Sequence, residues 1–384
     1  MTERPFLPRL EALRGLAALM VAYSHSLEAI VINHPSAEWV KLVLKTVGNG
    51  DVAVTLFFVL SGYVLGHSLD HGGTGYAAFM IRRMLRVWPA MLASLAGCYV
   101  WLESVHAAGL VRHFDAAAPL YYEYWQHPAS WQDLLRDAFF LGNYLNPVTW
   151  TLEVEMLAAA LFIPLWRLSR RSPSLAALLL LGWAGCFLGM PLQSYARVGF
   201  VYMLLLGMQA GPGARWAQRH LSVRQQRFGL WLAYIGCCLA NKWLPVTLAA
   251  GWFLESLFGY AVVALLVASH SGVPQPLLDS RLMRCIGRIS FGFYLWHFPV
   301  MFTLGSYGFA LLDPSLCLRW PNALGTGLFL ASTVCALPLA WFSHRFVESP
   351  FLALAKVLTR HRSVGGLPSP RAGKAAGAFS EPPV

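Results

Sequence analysis

Glu11, Arg14, Ala18, Ala22, His25 and Glu28 fall within about 120° of one another on a helix that turns 100° per residue, so they form one stripe. Arg14 and His25 are separated by roughly 16 Å of helical rise, and the two alanines between them leave room for something slender. A second basic group, Arg82, Arg83 and Arg86, opens another helical stretch, with Arg83 and Arg86 on one face. Guanidinium groups beside a helix N-terminus suit phosphate, through bidentate pairing, backbone N–H donors and the macrodipole. Farther along, Thr149, Trp150, Thr151 and Glu155 head one apolar run, while Ser290, Tyr294, Trp296, His297 and Pro299 belong to another. The chemistry on offer is anion binding at the arginines and proton transfer at two imidazoles and a carboxylate. Simpler readings stand beside it: the arginines as topological anchors, the alanines as a helix contact in a membrane bundle.

The elements that position these residues must be membrane helices. Hydrophobic residues make up 57% of the 384 and charged ones 12%, where a soluble protein carries roughly 25% charged residues. That much apolar surface has to face lipid, which excludes a soluble enzyme, a disordered tail protein and a secreted disulfide scaffold. Ten apolar runs are read as spans, at about 15 to 33, 52 to 69, 87 to 106, 148 to 166, 174 to 190, 197 to 211, 228 to 244, 247 to 269, 289 to 308 and 323 to 343. Twenty-two of the 29 Lys and Arg residues fall in segments that would share a side with the N-terminus, so the expected fold is an all-α polytopic protein of about ten transmembrane helices with both termini cytoplasmic. The net charge of +11 is then a topology signal, and no nucleic-acid partner is expected. In this frame His25 and His297 lie at similar depth, and Glu155 approaches them from the other side, about 10 Å in.

No cleavable signal peptide is expected, because the first apolar run is long and lacks a small-residue cleavage site. The seven Cys lie mostly within spans and imply no disulfide framework, and no metal site is read from the sequence. Residues 1–351 are expected to form the transmembrane domain and 352–384 a largely disordered cytoplasmic tail rich in Pro, Gly, Ala and Ser. The external stretch from 107 to 147 carries Tyr121, Tyr122, Tyr124, Trp125 and Trp131, suited to an interfacial aromatic belt or to a sugar-stacking platform.

Six blocks, RLEALRGLAALMVAYSHS (9–26), LFFVLSGYVLG (56–66), RRMLRVWP (82–89), WTLEVEMLAAAL (150–161), IGRISFGFYLWHFPV (286–300) and SHRFVESPF (343–351), resemble the successive signatures of acyltransferase family 3. Members are integral membrane enzymes that O-acylate bacterial surface polysaccharides and some smaller molecules. The resemblance spans nearly the whole chain, with Glu11, Ala12 and Thr151 as mild departures where Asp, Gly and Ser are commoner. It implies that His25, paired in the family's motif with Arg14, is essential to acyl transfer, that Arg83 and Arg86 serve an acyl-CoA donor, and that Glu155 closes a functional block.

On that footing the expected reaction moves an acyl group, acetyl before succinyl, from cytoplasmic acetyl-CoA or another acyl-CoA to a hydroxyl of an extracytoplasmic or lipid-linked glycan. The enzyme would sit in the bacterial inner membrane, with acyl-CoA as co-substrate and no permanently bound cofactor. CoA phosphates would meet Arg14, Arg83 and Arg86, and the pantetheine arm would run along Ala18 and Ala22 to His25. His25 would act as general base or as transient acyl carrier. Glu155, or failing that Glu28, would orient its ring. Glu11, Ser61, Trp150, Tyr294 and His297 complete the expected pocket. The rival class is a proton-coupled transporter or flippase, for which buried His and Glu also serve; no inverted repeat favours it.

Overall fold

The computed structural model describes residues 8–32, 34–70, 75–110, 125, 127–189, 197–269 and 275–360, and no β-strand occurs among the described residues. In chain order the helices are α1 (Pro8–Glu28), α2 (Pro35–Val47), α3 (Gly50–Asp70), α4 (Tyr76–Ala107), α5 (Trp131–Ala138), α6 (Trp150–Arg171), α7 (Pro173–Gly189) and α8 (Val201–Met208). They continue with α9 (Ala210–His220), α10 (Val223–Ala240), α11 (Leu248–Ala268), α12 (Arg281–Arg288), α13 (Ser290–Ala310), α14 (Pro314–Arg319), α15 (Pro321–Ser343) and α16 (Ser349–Arg360). A π-helical turn, His344–Glu348, joins the last two.

Among the described residues, five helical stretches are long and apolar enough to cross a membrane by length and composition: Pro35–Asp70, Tyr76–Ala107, Pro147–Arg171, Leu248–Ala268 and Pro321–Thr359. The other expected spans also fall on helices. α1 falls short in hydropathy because it carries Glu11, Arg14 and His25, and α13 because His297 and Tyr294 add to a helix already rich in Gly, Ser, Trp and Pro. The sixth run is broken into a 3-10 turn, Arg197–Phe200, and the eight-residue α8. α16 runs through the expected domain boundary, so residues 352–360 are helical, and 361–384 lie outside the described residues.

Helix starts follow the local sequence. Ser222 and Gln225 form a capping box at α10, Thr247 accepts from the Ala250 amide at 3.3 Å for α11, and Ser280 accepts from the Met283 amide at 3.1 Å for α12. Pro35 occupies the first turn of α2, where its missing N–H costs nothing. That helix buries none of its residues and exposes Trp39, Val43 and Val47 at four-residue spacing, a face suited to the bilayer interface.

α1 is central, packing on α3, α12, α13 and α15. Its stripe of small residues is a contact: Ala18 and Ala22 are buried against Phe293, Ala336 and Ala340. The expectation that these alanines leave a channel for pantetheine is therefore corrected, since small side chains here let α15 and α13 close onto α1. Two other crossings depend on glycine. A Cβ on Gly15 would lie 2.7 Å from the Gly287 nitrogen, and Gly62 and Gly207 each face a backbone carbonyl of the other's helix, at Leu204 and Val59. Outside the spans, Arg9 grips Asp279 through two bonds of 2.6 and 2.8 Å, tying the start of α1 to the turn before α12 and holding the Asp279 carboxyl below the usual carboxylate range.

The aromatics of the 107–147 stretch divide. Tyr121, Tyr122 and Tyr124 lie outside the described residues, and Trp131 is exposed. Trp125 is buried, its indole donating to the Leu145 carbonyl at 3.0 Å and its ring 4.8 Å from Phe302, so it serves neither a belt nor a platform.

The glycine crossing of α3 and α8 generates a stability prediction. Gly207→Val should lower the unfolding temperature of the purified protein, by overpacking worth about 1 to 3 kcal/mol, whereas Gly182→Ala, with nothing near its Cβ, should leave it unchanged. Equal unfolding temperatures would mean that α3 and α8 do not approach as closely as described.

Candidate active site

Five helices converge on one cavity of about 280 Å³. α1 contributes Arg14; α3 contributes Phe57 and Ser61; α4 contributes Arg83 and Arg86; α6 contributes Thr151 and Glu155; α13 contributes Ser290 and Tyr294. Arg83 and Arg86 are held on the same side of α4 by their three-residue spacing, as expected. Glu155 is the anionic centre. Its Oε1 accepts from Ser61 Oγ at 2.9 Å and forms a close ion pair with Arg83 Nη2. Arg83 Nε is buried without a partner among the described residues, so a strong donor is left for a ligand. Arg14 and Arg86 face the same carboxylate, and with it Glu348 from the π-helical turn. With Glu11 set against Arg288, the three cations exceed Glu155 and Glu348 by one, which leaves the cavity suited to an anion.

The two imidazoles meet beyond this cavity. His25 Nδ1 lies 3.2 Å from His297 Nε2, with the rings nearly parallel at 13° and their centroids 5.4 Å apart. His297 Nδ1 in turn lies 2.7 Å from the Tyr294 carbonyl oxygen. Phe298 stands edge-on to His25 at 5.6 Å. Tyr294 and Phe57, in edge contact at 5.8 Å, form the wall shared with the cavity, and the Tyr294 hydroxyl is tied to Thr151 Oγ1 at 2.9 Å and to the Val148 carbonyl at 3.0 Å.

Glu155 does not take the expected role of orienting His25. Its carboxylate is held by Arg83 and Ser61, while the charged groups facing His25 are Glu28, Lys45 and Asp51. Glu28 is paired with Lys45, and Asp51 with Lys242 at 2.7 Å and Asn241 at 3.1 Å. The group that hydrogen-bonds the His25 ring is His297. Trp150 also leaves the expected pocket, packing against Phe58 at 6.1 Å and Phe200 at 5.4 Å. Glu11 faces Arg288 and Arg14 rather than lining the cavity.

Several residues were not singled out from the sequence. Glu348 is 5% exposed, with Oε1 unpartnered and Oε2 3.4 Å from His344 Nδ1. Its position in the last signature block was the available signal. Asn146 and Ser94 had none. Both donate to the Leu295 carbonyl, at 2.8 and 3.4 Å, replacing the intrahelical N–H that Pro299 lacks. Among the described residues no group of three or more His, Cys, Asp or Glu is gathered to hold a metal.

Residues 7–344 match the family described as "Acyltransferase domain". The chain is similar to Nodulation protein 10 of Rhizobium leguminosarum bv. viciae, at 24% identity over 92% of this chain and 95% of that protein. It is also similar to Acyltransferase MdmB of Streptomyces mycarofaciens, at 26% identity over 95% of each chain. A third relative is Peptidoglycan O-acetyltransferase OatA of Listeria monocytogenes, at 24% identity over 91% of this chain and 56% of that one. No solved structure matches.

Removing the anionic centre should be costly whatever reaction the site performs. Glu155→Leu strands Arg83 without its ion pair and should destabilise the protein by about 3 to 5 kcal/mol, read as a lowered unfolding temperature, while Ser61→Ala removes one hydrogen bond and should cost about 1 kcal/mol. Equal effects of the two would show that the ion pair does not organise the cavity.

Proposed function

This chain belongs to the acyltransferase family whose domain it matches, and from that membership we propose that it moves an acyl group, acetyl first, from acyl-CoA to a hydroxyl of an extracytoplasmic or lipid-linked glycan. The observation that carries the reading is the cavity lined by Arg14, Arg83, Arg86 and Glu155, whose Tyr294 wall is in ring contact at 5.6 Å with one member of the His25–His297 pair. Acyl-CoA has matching parts, phosphates at one end and a thioester at the other. The names of two relatives, an acyltransferase and a peptidoglycan O-acetyltransferase, support acetyl transfer to a carbohydrate hydroxyl.

We place the donor on the cytoplasmic side. The alternation of 22 of the 29 basic residues supports ten spans with both termini in the cytoplasm, and that in turn puts Arg14, Arg83 and Arg86 toward the cytoplasm in a bacterial inner membrane. CoA phosphates pair with Arg86, Arg14 and the free edge of Arg83. The pantetheine arm reaches toward His25 past Ser61, Phe57 and Tyr294, since Ala18 and Ala22 are closed by packing.

The acceptor hydroxyl gives its proton to His25 Nε2 as its oxygen attacks the thioester carbon. The C–O bond forms, the C–S bond breaks, and the departing CoA thiolate takes the proton back from His25. The products are the ester and free CoA. No group other than the two substrates is consumed.

Two measurements test the reading. His25→Ala should abolish acetyl-CoA consumption in the presence of acceptor while leaving acetyl-CoA binding intact; substantial turnover by that variant would remove His25 from the reaction. Arg86→Ala, which keeps the Arg83–Glu155 pair, should weaken acetyl-CoA binding by about ten- to a hundredfold, as expected for losing a charge-assisted bond worth about 1.5 to 3 kcal/mol. Unchanged affinity in a titration calorimeter would return Arg86 to membrane anchoring.

A further inference from the structure

The hydrogen bonds around the two imidazoles fix where each proton sits. The Tyr294 carbonyl can only accept, so at 2.7 Å His297 Nδ1 is the donor. A neutral imidazole has one N–H, and His297 Nε2 is then an acceptor. It lies 3.2 Å from His25 Nδ1, which must carry the hydrogen between them. His25 Nε2 is left bare, with its lone pair available. A protonated His297 would reverse this order, making His25 Nδ1 the acceptor and putting the His25 hydrogen on Nε2, where it could take no further proton. The surroundings oppose that state: His297 is 1% exposed and flanked by the Phe293 ring at 5.9 Å and the Tyr294 ring at 5.6 Å, with no carboxylate bonded to it.

We infer that His297 is a positioning residue, which holds His25 as its Nδ1–H tautomer and so keeps Nε2 bare for the acceptor's proton. The inference rests on the reading of His25 as the base. When His25 takes the acceptor's proton on Nε2, the resulting imidazolium still donates Nδ1–H to His297. When that proton passes to the CoA thiolate, the ring returns to the same tautomer without turning over. A neutral imidazole thus does what an acidic side chain does in a Ser-His-Asp triad, ordering the base by a bond to its second nitrogen, but it adds no second charge to the membrane interior. The position of His297 is itself supported from outside α13. Pro299 deprives the Leu295 carbonyl of its helical partner, and Asn146, fully buried, supplies the replacement at 2.8 Å with Ser94 behind it.

The test uses the purified full-length protein with acetyl-CoA and a hydroxyl acceptor. His297→Leu should lower kcat by about 10² to 10⁴-fold with KM for acetyl-CoA changed by less than about threefold, the pattern of a base held in the wrong tautomer. His297→Gln, whose amide oxygen can accept from His25 Nδ1, should recover kcat to within about tenfold of the unaltered protein. Nitrogen-15 spectra of labelled histidine should show His25 with hydrogen on Nδ1 in the unaltered protein and in His297→Gln, and a mixture of tautomers in His297→Leu. A His25 signal with hydrogen on Nε2 in the unaltered protein overturns the inference, and needs no variant to fold. Equal losses in the Leu and Gln variants, or no loss in either, overturn it too, by reducing His297 to packing. These outcomes are distinct from failure of the base reading, which shows as turnover by His25→Ala.

Discussion

Three guanidinium groups cannot share a low-dielectric cavity on their own. Arg14, Arg83 and Arg86 repel one another, and taking any of them out of water is expensive unless an opposite charge is close. Glu155 is that charge. It binds Arg83 directly, takes a hydrogen bond from Ser61 and faces the other two arginines, so α1, α3, α4 and α6 meet where this carboxylate meets its partners. Glu348 adds a second negative group from the turn between α15 and α16, and draws the C-terminal helices onto the same centre. Glu11 faces Arg14 too but is offset by Arg288, so the balance remains one cation in excess. Such a site is held together without ligand yet still gains from binding an anion, which a fully neutral cluster would not.

The same economy of charge governs the imidazole pair. A carboxylate hydrogen-bonded to His25 would bring another ion into the membrane interior, next to Glu28 and Asp51, each already paired with a lysine. His297 orders the ring without that penalty. What it requires instead is a rigid α13, and α13 contains Pro299, which interrupts the backbone ladder two residues after His297. Asn146 and Ser94 repair the interruption from α4 and from the segment leading into α6. Elements that carry the arginines and lead to Glu155 therefore also brace the helix that carries His297, which ties the two halves of the site together.

How much of this could be read beforehand depended on the range of each interaction. The α1 stripe, the spacing of Arg83 and Arg86, and the placement of Glu155 at the head of its helix are local, and helical periodicity delivered them. Contacts between distant segments were less legible. Whether Ala18 and Ala22 line a channel or a helix contact depends on what lies opposite, and Phe293, Ala336 and Ala340 lie opposite. Similar depth in the sequence points Glu155 toward His25, but depth along a membrane normal says nothing about position around it. Asn146 and Ser94 act on a carbonyl freed by a proline about 150 residues or more away in sequence, a relation with no local pattern. The aromatic-rich sequence around Trp125 suits an interfacial belt, whereas its indole is fixed by the Leu145 carbonyl.

The charge arrangement on either side of His25 bears on which substrate comes from where. On the arginine side one positive charge is left over, and Arg83 Nε is an unsatisfied donor. On the other side each nearby ion has its counter-ion, Glu28 with Lys45 and Asp51 with Lys242, so the groups facing His25 there carry dipoles and hydrogen-bonding capacity but no net charge. Any polyanionic ligand would be drawn to the first side and gain nothing at the second. A neutral polyhydroxyl acceptor loses little at the second and has no reason to displace Glu155 from Arg83 at the first. Under the proposed reaction this asymmetry separates the two substrates by electrostatics alone, and leaves the bare nitrogen of His25 at the boundary where thioester and hydroxyl meet.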